Sequence, residues 1–317
     1  MFPDNNWYGH RMILLKYFGI KDKKIFASLQ HGWRSQFLRS PNYKKKKYSL
    51  LLWSKSNVGN LDKRNNNEHA IGAPFLYLCE ILKIRSNNKK INVSTPKGTL
   101  VFPAHSSQDL KQETDHNLLI KNVEEKFEGP YTICFYYYDL NLKDITIYKK
   151  NKWRVVCCTR GRKDKYSLYR QYIEINKHNT IVCGEFNSAL FYGMYLKKNT
   201  SVAIKSNKMI NSYNEEEKNQ LKSYMKIYPE LCNSFLLADK GYDLAKKELG
   251  FDCMKNKEEL KKLLGCNSII KNYLSRLFSI LYDLKYGFGL REGKDVSNNN
   301  LKKHITKAPY QTKDMMD

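Results

Sequence analysis

The sequence has no run approaching the roughly 18 uninterrupted apolar residues of a membrane span. Its longest apolar stretch, at 71–82, is broken by Glu80, so no membrane-crossing helix is expected. The amino terminus lacks a basic segment followed by an apolar core and a cleavage site, and secretion is not expected. None of the eight cysteines stands in a C-x-x-C pair, and none of the seven histidines has an i,i+4 partner, which argues against a zinc site. Cys134, Cys157, Cys158 and Cys183 fall in strand-like runs and read as small buried hydrophobes in a reducing cytoplasm. No unit repeats at a fixed period. Acid is scarce, with 31 Asp and Glu against 56 Lys and Arg, for a formal charge of +25.

What is present is a chain of 317 residues, long enough for two α/β domains at about 100–200 residues each. The basic excess favours an anionic partner: nucleic acid, an anionic membrane surface or a phosphorylated substrate. Charge alone does not choose among them, and the Lys and Asn content also fits a biased base composition in the source genome.

Residues 1–95 read as a small α/β unit, with a helix over 11–18, strands over 24–29, 48–53 and 69–71, and a helix over 75–84. The polar segment 84–98, carrying Pro96 and Gly98, fits a linker. Residues 96–290 form the second unit, whose last part reads as helices over 213–227, 240–249, 256–264 and 267–285. Leu249-Gly250 and Leu264-Gly265 supply the stop signals. Residues 291–317 read as a polar, mobile tail.

The richest stretch is 99–206, where five β-rich runs alternate with helix-like segments: 99–103, 131–136, 153–158, 180–183 and 201–204. Short apolar runs so spaced read as buried parallel strands with crossover helices. Ligands of open α/β sheets bind beyond the carboxyl ends of the strands, so the residues after each run are the candidate site. They are His105-Ser106-Ser107, Asp139, Thr159-Arg160-Gly161-Arg162 and Glu185-Phe186-Asn187-Ser188.

Asn187 or Ser188 would cap a helix whose amide donors and dipole suit a diphosphate. Arg160 and Arg162 offer forked donors for phosphate oxygens, with Asp164 capping the next helix. His105, Ser106 and Ser107 would donate to phosphate or sugar. In the first unit, Gln30-His31-Gly32-Trp33 ends a strand, and His31 would face an interdomain cleft as a general base. Glu113 and Asp139 are candidate acids. Each feature also has a plain structural reading: a capped helix, solvated surface charges, a histidine satisfied within a turn. Ile71-Gly72-Ala73-Pro74 reads first as a strand-to-helix turn, and Tyr136-Tyr137-Tyr138 as strand packing, with one ring able to cover a nucleobase.

In order, Gln30-His31-Gly32-Trp33, Ile71-Gly72-Ala73-Pro74, Phe102-Pro103-Ala104-His105-Ser106-Ser107, Thr159-Arg160-Gly161-Arg162 and Asn187-Ser188-Ala189-Leu190-Phe191-Tyr192-Gly193 resemble bacterial GT-B-type glycosyltransferases. Enzymes of that kind assemble capsule, lipopolysaccharide or O-antigen chains, and the likeness spans residues 7–265. It implies two Rossmann-like domains facing a cleft, the second with a parallel sheet and carboxy-terminal helices. It further implies a nucleotide-sugar donor as co-substrate, no metal or other cofactor, and a surface-polysaccharide or lipid-linked glycan acceptor. The donor phosphates would meet His105, Ser106, Ser107, Arg160, Arg162, Asn187 and Ser188, Glu185 would contact ribose or sugar hydroxyls, and His31 would be the acceptor-side base. Inversion of configuration is the favoured course, at the inner face of the plasma membrane, where Lys and Arg are attracted to anionic lipid. Two features depart from the pattern: the first unit is short, and the acidic motif of many retaining members is not clearly present. The alternative from a different class is a non-enzymatic basic nucleic-acid-binding protein, although no RNP, KH or zinc-finger pattern is present.

Overall fold

The structure, a computed structural model, describes residues 7–20, 25, 27–33, 49–57, 68–88, 95–106, 112–203, 207–209, 223–233 and 238–264. Ser107, the lysine run at 44–47, the expected helix over 267–285 and the tail lie outside the described residues. Two parallel sheets and their flanking helices make up an α/β architecture compatible with a Rossmann-like arrangement.

The first sheet has three short parallel strands in chain order: β1 (Ser28–Leu29), β2 (Leu50–Leu52) and β3 (Glu68–Ala70). Helix α1 (His10–Phe18) lies between Gly9 and Gly19, both left-handed at φ 83° and 72°. Helix α2 (Pro74–Asn88) opens on proline, a residue whose missing amide costs nothing in the first turn. It covers residues 84–88 of the segment expected to be linker.

The second region contains β4 (Thr99–Phe102), β5 (Gln112–Thr114), β6 (Tyr131–Phe135), β7 (Arg154–Cys157), β8 (Thr180–Cys183), β9 (Asn199–Val202) and β10 (Asn207–Met209). Five of these form one all-parallel sheet in the order β7-β6-β4-β8-β9, while β5 and β10 pair antiparallel beside it. The run expected at 201–204 starts two residues earlier: Lys197, left-handed at φ 55°, turns the chain so that Asn199 already pairs with Thr180.

Register explains why the sheet is buried on both faces. Val155, Ile133, Val101 and Val182 align in one row across four strands and pack with Leu119, Val123, Ile145 and Tyr148. Those side chains come from α3 (His116–Glu124) and α4 (Leu142–Lys150), capped by Asp115 and Asn141. The alternate residues, Leu100, Cys134, Val156 and Ile181, face α5 (Ser167–Asn176) and α6 (Ser188–Tyr195). Each fully buried Val, Leu or Ile contributes about 1.5–3 kcal/mol, so a one-residue slip of any strand would be costly.

The core on the α5/α6 side continues into the first sheet. Phe75 of α2 stacks on Tyr192 of α6 at 4.0 Å between centroids, and Leu14, Leu51 and Trp53 belong to the same apolar cluster as Leu100 and Phe191. Among the described residues no helix is long and apolar enough to cross a membrane.

Gly9 ties the amino-terminal segment to the second region. A Cβ there would stand 2.2 Å from the Lys165 carbonyl oxygen, on top of its positive φ, while the neighbouring Tyr8 amide donates to the Arg162 carbonyl at 2.7 Å. Left-handed backbone alone costs a Cβ-bearing residue roughly 1–2 kcal/mol. Gly9→Ala is therefore expected to destabilise the protein by about 2 kcal/mol or more, read as a lowered thermal midpoint. An unchanged midpoint would contradict this packing.

Candidate functional site

The chain winds outward from β4 through β6 to β7 and then reverses to β8 and β9, so β4 and β8 are neighbours whose chains leave in opposite directions. A crevice opens at such a reversal, beyond the carboxyl ends of the strands. Both exits meet there. His105, after β4, has Nε2 3.6 Å from Glu185 Oε1, after β8. The imidazole also lies 4.5 Å from the ring of Tyr136, after β6, and keeps 42% of its side chain exposed.

Ser106 and Asp139 have structural duties around this crevice. Ser106 is buried, and its amide donates to Asp139 Oδ2 at 2.9 Å, tying the β4 exit to the β6 exit. Glu113 sits instead on β5, opposite Lys208 of β10. At the start of α6, Asn187 Oδ1 accepts the Leu190 amide at 3.2 Å, as an N-cap should. Ser188 Oγ accepts the Trp33 amide at 2.8 Å. These two side chains fasten the helix, and the anion-binding capacity of that end resides in its backbone amides.

The loop after β7 is folded by Asp164. Its Oδ2 accepts the Arg160 amide at 2.8 Å and Arg170 Nη1 at 2.5 Å, and Oδ1 accepts the Tyr166 amide at 3.1 Å. Asp164 thus shapes the loop rather than capping α5, whose N-cap position is Tyr166 without a side-chain bond. Arg160 projects into solvent. Arg162 turns inward: its guanidinium stands 4.7 Å from the Trp7 ring centroid and hydrogen-bonds the phenols of Tyr136 and Tyr8. Those phenols are themselves joined, Oη to Oη, at 2.7 Å. Burial pushes both phenols above the usual tyrosine range, so both stay neutral.

The opposing wall is the β1 exit. Gln30 braces this turn: its Oε1 accepts the Trp53 amide at 2.8 Å, its carbonyl accepts Trp53 Nε1 at 3.1 Å, and its Nε2 donates to the Gly32 carbonyl at 2.9 Å. His31 therefore stands in a rigid frame, 4.7 Å from the Trp7 ring. Its two ring nitrogens are covered from solvent. Behind it lies His10, ring centroid 6.2 Å away, buried at 1% exposure and hydrogen-bonded to the Gln30 backbone.

The structure brings His105, Glu185 and Arg162 together through Tyr136, and brings His31 to Arg162 through Trp7. Ser106 lies buried at the β4 exit, and Asn187 and Ser188 lie at the start of α6. The structure does not bring Arg160 into any described side-chain contact with them. Sequence reasoning missed Trp7 and Tyr8, and it offered Tyr136 only as one of three rings able to cover a nucleobase. The aromatic pair Trp7-Tyr8 directly before Gly9-His10 is the only local signal, and nothing in it points to a partner more than 120 residues away. Ile71-Gly72-Ala73-Pro74 is a strand-to-helix turn packed on the chain after the helix Ala238–Leu249, with the Ala73 amide donating to the Leu249 carbonyl at 2.8 Å.

Among the described residues no group of three or more His, Cys, Asp or Glu is placed to hold a metal ion. Compared with protein-family models, with curated proteins and with solved structures, the chain matches none.

Burial lowers the His10 pKa from the usual histidine value to about 4. The unfolded chain therefore takes up a proton near pH 6.5 that the folded chain refuses until about pH 4, so stability present above pH 6.5 is lost as pH falls toward 4. The loss attributable to His10 is roughly 3 kcal/mol. Unfolding measured in denaturant between pH 7 and pH 4 should show a shallower slope in His10→Gln than in the parent. Equal slopes would contradict a neutral, buried His10.

Proposed function

We propose that the protein is a metal-independent glycosyltransferase of GT-B type, moving a sugar from a nucleotide-sugar donor to a surface-polysaccharide or lipid-linked glycan acceptor. The observation that carries this reading is the meeting of His105 and Glu185 at the β4–β8 reversal of an all-parallel sheet, facing the His31 turn of a second parallel sheet. A nucleotide diphosphate suits the first wall, where the α6 amides and dipole and the His105 imidazole favour negative charge. Glu185 orients that imidazole and is within reach of sugar hydroxyls.

In the reaction, the acceptor hydroxyl oxygen bonds to the anomeric carbon on the face opposite the phosphate. The anomeric C–O bond to the phosphate breaks, and its electron pair leaves with the phosphate. His105 stabilises the departing oxyanion, the kind of preorganised donor that supplies much of an enzyme's acceleration. His31 takes the hydroxyl proton, which requires its ring nitrogens, now covered from solvent, to become accessible to the acceptor. The basic excess of the chain suits a peripheral position at an anionic cytoplasmic leaflet.

Thermal unfolding with UDP, GDP, CMP and dTDP sugars tests the reading. A ligand at 100 times its Kd stabilises the native state by about 2.7 kcal/mol, so one donor class should raise the midpoint by a few degrees. His105→Ala should abolish most of that rise and lower transfer by about a hundredfold. A midpoint indifferent to every nucleotide sugar, together with steeply salt-dependent oligonucleotide binding, would replace the enzyme with a nucleic-acid-binding protein.

A further inference from the structure

We infer that the nucleotide of the β4–β8 crevice is a ribonucleotide, with its ribose hydroxyls on Asp139 and its base on Tyr138. The inference rests on the glycosyltransferase reading and adds to it where the nucleoside lies and which pentose it carries.

Strand order supplies the first observation. Along the chain, β4, β6 and β7 run outward to one side of the large sheet, and β8 and β9 to the other. In nucleotide-binding sheets of this order, an acid beyond the second strand bonds the ribose, and the phosphates sit at the reversal. Here the second strand is β6, and the acid beyond it is Asp139. The glycine-rich turn of dinucleotide sites is absent after β4, where Pro103-Ala104-His105-Ser106 stands. Phosphates would therefore meet the His105 side chain rather than a bare backbone turn.

Asp139 is fixed by its other polar groups and open at one oxygen. Its amide donates to the Tyr136 carbonyl at 3.1 Å, its carbonyl accepts Asn141 Nδ2 at 3.0 Å, and its Oδ2 accepts the Ser106 amide at 2.9 Å. Among the described residues, its Oδ1 is neither bonded nor sealed from solvent. An ionised carboxylate oxygen only accepts, so this oxygen suits a ligand that brings hydroxyl donors, as ribose does. The Ser106 bond sets the carboxylate at the residue next to His105, as ribose stands next to phosphate in a nucleotide. Glu185 faces His105 itself. The two acids thus divide the ligand, Asp139 taking the ribose and Glu185 the transferred sugar.

Tyr138, beside Asp139, is 48% exposed and meets Tyr137 edge-on, with ring centroids 6.1 Å apart. Tyr137 lies 4.6 Å from Tyr136, which lies 4.5 Å from His105. An unbroken series of ring contacts therefore joins the crevice to an open aromatic ring. Every nucleobase has a face that stacks on such a ring.

The test compares UDP, GDP and CMP with their 2′-deoxy counterparts by calorimetry, with pyrophosphate as a probe of the phosphate wall alone. At least one ribonucleotide should bind about tenfold more tightly than its 2′-deoxy counterpart, the factor that a hydrogen bond to a carboxylate supplies. Asp139→Asn, which keeps an oxygen for the Ser106 amide, should bring the two within about twofold. Tyr138→Ala should weaken both by about tenfold and leave pyrophosphate binding unchanged, while Tyr138→Phe should bind as the parent does. Unfolding midpoints separate loss of binding from loss of fold, and the exposed Tyr138 carries the comparison if Asp139→Asn does not fold. Equal binding of ribonucleotides and deoxyribonucleotides by the parent overturns the inference. So does a ribose preference that survives Asp139→Asn or is lost in Glu185→Gln instead, and so does nucleotide affinity indifferent to Tyr138→Ala. The glycosyltransferase reading stands through those outcomes wherever a nucleotide sugar still raises the midpoint. A ribose preference carried by Asp139 in a protein that transfers no sugar defeats that reading alone. Failure of every nucleotide and nucleotide sugar to bind defeats both.

Discussion

The hydrogen bond from the Trp33 amide to Ser188 Oγ is the joint on which the arrangement of the site depends. It fastens the exit of β1 to the first turn of α6, so the carboxyl ends of two parallel sheets share one space. Its surroundings make it firm. The Trp33 indole sits among Phe186, Phe191, Tyr224 and Tyr228, and its Nε1 donates to the buried carboxylate of Glu248 at 2.9 Å. A charge-assisted bond in a dry setting is stronger than the same bond in water. Removing either partner would leave a buried polar group unsatisfied.

From this joint follows a division of labour. Residues at the β4–β8 reversal are placed by the sheet itself, since register and crossover direction decide where a strand exit lies. Residues of the opposing wall are placed by side chains: Gln30 and Trp53 bracing the His31 turn, Trp7 bridging His31 to Arg162. The first set is as rigid as the core beneath it, and the second moves with an aromatic ring that is only half-buried.

The five-stranded sheet was legible because its signal is local. Alternation of Leu100 and Val101, or Ile133 and Cys134, between two apolar faces makes nearly continuous hydrophobic runs, and these stand out in a polar chain. Strand exits then located His105, Glu185 and Arg162. The three-stranded sheet was harder: β1 is two residues long, and its surroundings carry many charges. Roles were least legible where a side chain serves the fold. Ser188 and Asp164 have the residue types of ligand-binding or capping groups, yet one anchors Trp33 and the other folds the Arg160 loop. Which duty a polar side chain takes depends on partners distant in sequence, and that information is absent from any local pattern. Tyr8 and Tyr136 meet across 128 positions for the same reason.

Hydrogen–deuterium exchange with and without a stabilising nucleotide sugar tests the central claim, that the β4–β8 crevice is where the activated sugar binds. The account predicts slowed exchange at the amides of Ala104, His105 and Ser106 after β4 and of Ser188 and Ala189 at the start of α6, with little change along α3 and α4. Protection confined to other elements, or exchange unchanged throughout, would contradict it.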